Sequence, residues 1–380
     1  MKPELTLHSR SLTLQRYPIR KRETLQAWDA ADEYLINQVE TMKAEQALTL
    51  DATRPVILMN DGFGALACWF AGQMPVFSVG DSYIARKASE TNLEENQLPR
   101  VQFQDCLSPL PDQPQLVLLK LPKSNRLLSW QLAQLCASLP EDCIVIAAGK
   151  AKEIHTSTLK LFEKHLGPTT TSLAVKKARL IFCRPDASLA RALPQIERWD
   201  VPEYQLTLSN HANVFSGESL DIGGRFLLEH IPQDPALKHI VDLGCGNGVI
   251  GIQAARLNPQ AQVTCVDESF MAAASCRENA DLNLTHPQQL TVKVDNSLET
   301  MANDDADLVL CNPPFHQQNT ITDHIAWQMF ADAKRCLRPG GRLIVIGNRH
   351  LGYDGKLKRL YAKVHKIAQN NKFVVYQAEK

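Results

Sequence analysis

The chain has 380 residues, 44% of them apolar and 22% charged, which allows more than one packed core and excludes wholesale disorder. No apolar run reaches the ~18–20 residues of a membrane span, and no apolar stretch follows the N-terminal charges as in a secretory signal. The net charge is zero and the ten cysteines form no C-x-x-C pair, which argues against a uniformly basic nucleic-acid binder, a disulfide framework or a zinc site, and for a reduced, cytoplasmic protein.

The first ~50 residues, with a helix at 25–42, read as a helical lead-in rather than a separate domain. A strand at 56–60 runs into Asp61-Gly62-Phe63-Gly64 and a helix; one at 75–79 leads to Gly80-Asp81-Ser82 and a second helix. Strands at 101–103, 115–119 and 143–148 precede Asp105, Lys120-Leu121-Pro122-Lys123 and a basic helix, and 172–183 reads as a closing hairpin. Pro185, Pro194 and Pro202 mark the boundary, giving domains at 1–190 and 205–380 around a linker at 191–204.

In the second half, strands at 239–243, 262–266, 290–294, 306–311, 341–346 and 372–378 alternate with helices at 248–257, 270–283 and 323–336. Such alternation implies an α/β fold with a mostly parallel sheet covered on both faces. The halves echo each other. Aligned by order, Asp61 falls with the Asp242 region, Asp81 with Asp267, Asp105 with Asp295 and Lys120 with Asn312. This predicts a duplicated domain whose first copy has lost its site.

Two basic segments sit at the same place in each copy. Between residues 150 and 184, Lys150, Lys152, Lys160, Lys164, Lys176, Lys177, Arg179 and Arg184 face only Glu153 and Glu163. Between 349 and 372, Arg349, Lys356, Lys358, Arg359, Lys363, Lys366 and Lys372 face only Asp354. Concentrated charge of this kind attracts phosphate even on a neutral molecule. Lys150, Lys152, Lys176, Lys177, Arg179, Arg349 and Lys372 are the candidate contacts to nucleic-acid phosphate.

Asp242-Leu243-Gly244-Cys245-Gly246-Asn247-Gly248 is a strand end and a glycine-rich turn into a helix, where missing Cβ atoms let the backbone approach a ligand. Gly246, Gly248 and Gly251 also satisfy the dinucleotide fingerprint G-x-G-x-x-G, with Asp267 at the expected distance to accept from ribose hydroxyls. The turn alone fits either NAD or S-adenosyl-L-methionine. Asp295 is placed to accept from an adenine amine, with Asn296 beside it. Upstream, Phe215 is a candidate cover for the cofactor and Asp221 a candidate contact at its amino-acid end.

The run Asn312-Pro313-Pro314-Phe315 decides between the cofactors. It closes the apolar strand 306–311 at its carboxyl end, where open α/β sheets bind ligands, and the prolines stiffen the turn. An exocyclic aromatic amine is a poor nucleophile because its lone pair is delocalised. The Asn312 side chain and the Pro313 carbonyl can accept its two N–H groups and aim the lone pair at a sulfonium methyl, while Phe315 stacks on the base. No general base is required, because the nitrogen becomes acidic as it is methylated.

Together with residues 210–228, Val266-Asp267-Glu268-Ser269, 311–318 and Asn370-Asn371-Lys372-Phe373, these motifs resemble the bacterial ribosomal RNA guanine-N2 methyltransferases. The likeness extends over 12–17, 28–35 and 154–178, and is nearer to the large-subunit (23S) type than to the small-subunit type. It implies two tandem class I (Rossmann-like) methyltransferase domains, the N-terminal copy degenerate and kept for RNA recognition. It places the family's cofactor glycines on Gly244, Gly246 and Gly248, its ribose acid on Asp267 and its catalytic motif on Asn312, Pro313, Pro314 and Phe315. The cofactor implied is S-adenosyl-L-methionine, without metal. The partner implied is 23S rRNA, naked or in an assembling large subunit, with no membrane and no obligate protein partner. The motif by itself also fits small-subunit rRNA, adenine N6 of DNA and protein glutamine, and a non-enzymatic RNA-binding assembly factor is the alternative of another class.

Overall fold

The computed structural model describes residues 3–314 and 320–380, in two compact units, Met1–Gln195 and Ile196–Lys380. In the first, a hairpin of β1 (Glu4–Leu7) and β2 (Arg10–Thr13) precedes α1 (Ala30–Ala44). Then follow β3 (Val56–Met59), α2 (Ala65–Phe70), β4 (Val76–Gly80), α3 (Tyr83–Glu95), β5 (Gln102–Asp105), β6 (Leu116–Lys120) and α4 (Asn125–Ser138). The unit closes with β7 (Ile144–Lys150), α5 (Thr156–His165), β8 (Thr169–Thr171) and β9 (Ala178–Cys183).

The second unit opens on a hairpin of β10 (Glu197–Val201) and β11 (Leu206–Asn210), followed by α6 (Ile222–Leu228). Next come β12 (His239–Leu243), α7 (Val249–Leu257), β13 (Gln262–Asp267), α8 (Phe270–Asn283), β14 (Leu290–Val294) and β15 (Ala306–Cys311). The chain ends with α9 (Thr320–Cys336), β16 (Leu337–Asn348), α10 (Tyr353–Leu360), β17 (Lys363–Gln369) and β18 (Phe373–Glu379).

Each unit is built on a seven-stranded sheet, ordered β5-β4-β3-β6-β7-β9-β8 in the first and β14-β13-β12-β15-β16-β18-β17 in the second. The two orders are the same. In each, only the unit's last strand, β9 or β18, runs antiparallel to the rest. That strand separates both sheets from the 3-2-1-4-5-6 dinucleotide-binding order and gives the class I methyltransferase arrangement twice. The central strands are almost wholly buried, completely so in Val56-Ile57-Leu58-Met59, because helices cover both faces of a parallel sheet.

Both hairpins lie where the sequence suggests something else. Residues 4–13 form strands within the expected helical lead-in, and 197–201 fall within the expected linker, so the break between units comes at Gln195 and Ile196. Each hairpin is tied to its sheet by a pair of asparagines one helical turn apart. Asn92 on α3 and Asn96 at its C-cap exchange hydrogen bonds with the backbone of Gln15 and Thr13. Asn279 and Asn283 on α8 do the same with Ser209 and Thr207. The amide of Asn92 also donates to the Phe63 carbonyl and that of Asn279 to the Asn247 carbonyl, so each hairpin is joined to the turn after the first sheet strand.

Candidate active site

The glycine turn rests on a buried carboxylate. Asp242, the penultimate residue of β12, is 2% exposed, and its Oδ2 accepts from the Gly251 amide at 2.8 Å. Burial, with Cys276 nearby, raises its carboxyl to about 8. Asp242 therefore lies beneath the turn and positions it, rather than lining its open side. Gly248 has φ +87° and caps α7; a Cβ there would lie 2.4 Å from the Cys276 sulfur, so its missing side chain lets α7 approach α8. Gly246 (φ +53°) is different: a Cβ there would meet nothing within 4 Å. Its amide donates to Asp267 Oδ2 at 2.9 Å, and Asp267 Oδ1 accepts from the Ser269 amide at 3.0 Å. These two bonds fix the Asp267 carboxylate at the end of β13, beside the glycine turn.

Asp295 is 1% exposed, with Oδ1 accepting from the Asn296 amide and Oδ2 from the amide and hydroxyl of Thr300. Both oxygens are thus engaged in holding the loop after β14, and Asn296, 3% exposed, points its amide at Glu299. Phe215 is half exposed. Its loop is anchored to α8 through His211, whose ring bonds Glu278 and whose amide bonds Ser275.

Asn312 follows β15. Its Nδ2 donates to Asp221 Oδ2 at 3.2 Å, while its Oδ1 is buried without a hydrogen-bond partner among the described residues. Pro313 is buried and Pro314 exposed. Phe315, the expected stacking residue, lies outside the described residues. The orphaned Asn312 oxygen is the acceptor that an amine N–H requires, and a buried acceptor left empty is costly enough to be unusual.

The candidate RNA contacts group at the carboxyl ends of the parallel strands, the sheet edge that carries Asn312 in the second unit. Lys150 ends β7, and the turn Val175-Lys176-Lys177-Ala178 opens β9 at the same edge. The Ala151 amide bonds the Lys177 carbonyl, as the Arg349 amide bonds the Lys372 carbonyl in the second unit. Lys150, Lys152, Lys177, Arg349 and Lys372 are exposed. Lys176 is exposed too but pairs with Glu33 at 2.9 Å, and the half-buried Arg179 donates its Nε to the Ser172 carbonyl at 3.0 Å, so both also hold contacts within their own unit. Among the described residues, no helix is long and apolar enough to cross a membrane.

Comparison with known proteins gives this geometry a family. Residues 2–187 match the RLMG N-terminal domain and residues 205–377 the methyltransferase small domain. The ribosomal RNA large subunit methyltransferase G of Photobacterium profundum is 66% identical over 380 residues, covering 100% of both chains. The protein of the same name from Vibrio vulnificus is 56% identical, again covering 100% of both. The chain belongs to the ribosomal RNA large subunit methyltransferase G family. In fold, the family's two-unit plan is shared by a T. thermophilus 16S rRNA N2 methyltransferase solved with AdoMet and guanosine. That structure superposes with a TM-score of 0.75 over 100% of this chain and 98% of that one, at 18% identity.

Sheet register shows what this family member keeps in its second copy and lacks in its first. Met59 pairs with Val79 and Leu119 as Leu243 pairs with Val266 and Cys311. Lys120 therefore stands at the position of Asn312, as expected from the order of motifs. Gly80, not Asp81, stands at that of Asp267. Cys106, whose amide bonds the Gly80 carbonyl as the Asp295 amide bonds Asp267, stands at that of Asp295. Asp61 has no counterpart carboxylate at its own position, but its Oδ2 takes the Ala67 amide, the equivalent of the Gly251 amide held by Asp242. Alignment by acid order thus shifts Asp81 and Asp105 by one residue and Asp61 by three. The first copy thus has Gly80 where the second has Asp267, and Lys120 where the second has Asn312. Sequence reasoning also missed Gly224, which faces Asn312; the only sign of it was a glycine three residues after Asp221.

Proposed function

We propose that the second unit transfers the methyl group of S-adenosyl-L-methionine to the exocyclic N2 amine of a guanine in 23S rRNA, and that the first unit serves RNA recognition. The observation that carries this reading is the buried, unpartnered Asn312 Oδ1 at the carboxyl end of β15, in a chain related over its whole length to large-subunit rRNA methyltransferases. Gly246, whose Cβ position is open, and Asp267, a carboxylate held beside the turn by the Gly246 amide, fit backbone approach to the cofactor and acceptance from its ribose. When bound, the cofactor supplies an electrophilic methyl on a sulfonium.

The chain's own residues do the rest by position. Asn312 Oδ1 and the Pro313 carbonyl accept the two amine N–H groups and hold the nitrogen with its lone pair directed away from the ring plane. As the N–C bond forms, the sulfur–methyl bond breaks and one amine proton is released to solvent. Alignment of this kind accounts for most of the rate, in keeping with the absence of any required base. Exposed Lys150, Lys152 and Lys177 on the first unit and Arg349 and Lys372 on the second supply phosphate contacts. The setting is the cytoplasm, where ten buried free thiols remain reduced.

The reading is tested by tritiated-methyl transfer to separated 23S rRNA, 16S rRNA, DNA and protein, with free RNA and large-subunit particles run in parallel. Label in N2-methylguanosine of 23S rRNA supports it. Label confined to adenine, to 16S rRNA or to glutamine replaces the substrate, and no label in any fraction favours a binding protein.

A further inference from the structure

The two copies hold the same three positions in contact and fill them differently. In the second unit, Asp221 is the N-cap of α6, and its Oδ2 accepts from the Gly224 amide at 2.9 Å and from Asn312 Nδ2 at 3.2 Å. In the first, Asp29 is the N-cap of α1, accepts from the Asp32 amide, and binds the Lys120 ammonium at 2.8 Å. Asp29, Asp32 and Lys120 thus match Asp221, Gly224 and Asn312. Asp32 adds a second carboxylate, 2.9 Å from the same ammonium, where Gly224 has no side chain. A Cβ on Gly224 would come 3.7 Å from Asp221 Oδ2 and 3.8 Å from Asn312 Nδ2, so any polar side chain there would reach the Asn312 amide.

We propose that Asp221 is a positioning residue that locks the Asn312 amide in one of its two orientations, with Gly224 keeping competing groups away, so that Oδ1 is presented to the target amine. An amide is nearly symmetric in shape and turns over readily when nothing distinguishes its ends. A carboxylate distinguishes them, because it accepts hydrogen bonds and cannot donate, so only the NH2 end can face it. The bond is charge-assisted, which makes it stronger than a neutral one. With Nδ2 so held, Oδ1 must point to the opposite side, where it is buried and unpartnered. In the first copy the same carboxylate position grips an ammonium, and the place of the Asn312 amide is taken by a group that can only donate.

This inference rests on the amine-methylation reading of Asn312. The test replaces Asp221 by Ser, which still caps α6 but is too short to reach Asn312 and can either donate or accept. Loss of the lock is expected to lower kcat roughly ten- to a hundredfold, with the KM for S-adenosyl-L-methionine and the melting temperature little changed. Asp221→Asn, whose carbonyl oxygen can serve both bonds, is expected to recover most of that loss. Wild-type kcat in a folded Asp221→Ser protein overturns the inference. A raised cofactor KM with kcat kept also overturns it and assigns Asp221 to the cofactor instead. Should the Ser variant unfold, the wild-type protein decides by NMR. The Asn312 side-chain protons, assigned by their loss in Asn312→Ala, are expected to be shifted downfield and slow to exchange, and exchange at the solvent rate would overturn the contact. Failure of the underlying methylation reading looks different, because the wild-type enzyme itself would then transfer nothing to guanine.

Discussion

Lys120 and Asn312 occupy one position in two copies of the same sheet: Lys120 follows Leu119, which pairs with Met59, and Asn312 follows Cys311, which pairs with Leu243. In one copy that position holds a buried ammonium between Asp29 and Asp32; in the other it holds an amide with a free acceptor. The exchange shows how one fold came to carry a structural cluster and a candidate active site at equivalent points.

Lys120→Met is expected to destabilise the first unit by about 3 kcal/mol or more at neutral pH, since it leaves Asp32 buried beside Asp29 without a cation. The deficit should shrink near pH 5, because burial already raises the Asp32 carboxyl to about 7 and its neutral form needs no partner. Asp32→Gly combined with Lys120→Asn, the residues of the second copy, should cost less than Lys120→Met alone. Urea denaturation at both pH values measures this, and equal stability of Lys120→Met and wild type would remove the cluster's structural role.

The glycine turn separates packing from ligand approach. Gly248→Ala combines strain at φ +87° with a Cβ 2.4 Å from the Cys276 sulfur, and should cost about 2–4 kcal/mol of stability. Gly246→Ala meets no atom within 4 Å and should cost only about 1–2 kcal/mol, yet weaken cofactor binding by calorimetry. A Gly246→Ala protein that binds S-adenosyl-L-methionine normally would place the cofactor elsewhere.

Asp242 makes stability depend on pH. Its folded carboxyl is raised to about 8 by burial, against an ordinary value near 4 in the unfolded chain, so between those pH values the folded state binds the extra proton. Its contribution is therefore complete below pH ~4 and is lost as pH rises through about 8. Asp242→Asn removes the titrating group and keeps an oxygen for the Gly251 amide. The difference in unfolding free energy, wild type minus variant, should fall as pH rises from 5 to 8, and a flat difference would contradict the burial account.

Lys150, Lys152 and Lys177, changed together to Glu, should weaken binding to 23S rRNA and flatten its salt dependence, each lost phosphate contact removing about 0.7–0.9 from the log–log slope. Lys176→Glu should matter less for RNA, since Lys176 is already engaged with Glu33. Fluorescence anisotropy over a salt series checks both, and an unchanged slope in the triple variant would remove this surface from the interface.

Much of this was legible in the sequence because parallel strands covered on both faces are nearly continuous apolar runs; 239–243 and 306–311 were read at their observed ends, as was the alternating edge strand 290–294. The Lys120 and Asn312 correspondence was legible too, since each ends such a run abruptly. The hairpins were not. Glu4–Leu7 and Glu197–Val201 are short and mix charged with apolar residues, and their partners are set by asparagines 70 or more positions away, such as Asn279 on Ser209. Nor could acid order give register: Asp81 and Asp267 look equivalent, but the strand pairing puts Gly80 opposite that role. The Asp221–Asn312 contact joins residues 91 positions apart, and no local pattern announces it.

The central claim, that Asn312 presents the acceptor for a guanine amine, is tested most directly by nucleoside mass spectrometry. Purified 23S rRNA lacking the modification is incubated with S-adenosyl-L-methionine and either wild-type protein or Asn312→Ala, with cofactor binding of both verified by calorimetry. The account predicts stoichiometric N2-methylguanosine with the wild type and none above background with Asn312→Ala, at equal cofactor affinity. Full methylation by Asn312→Ala would contradict it.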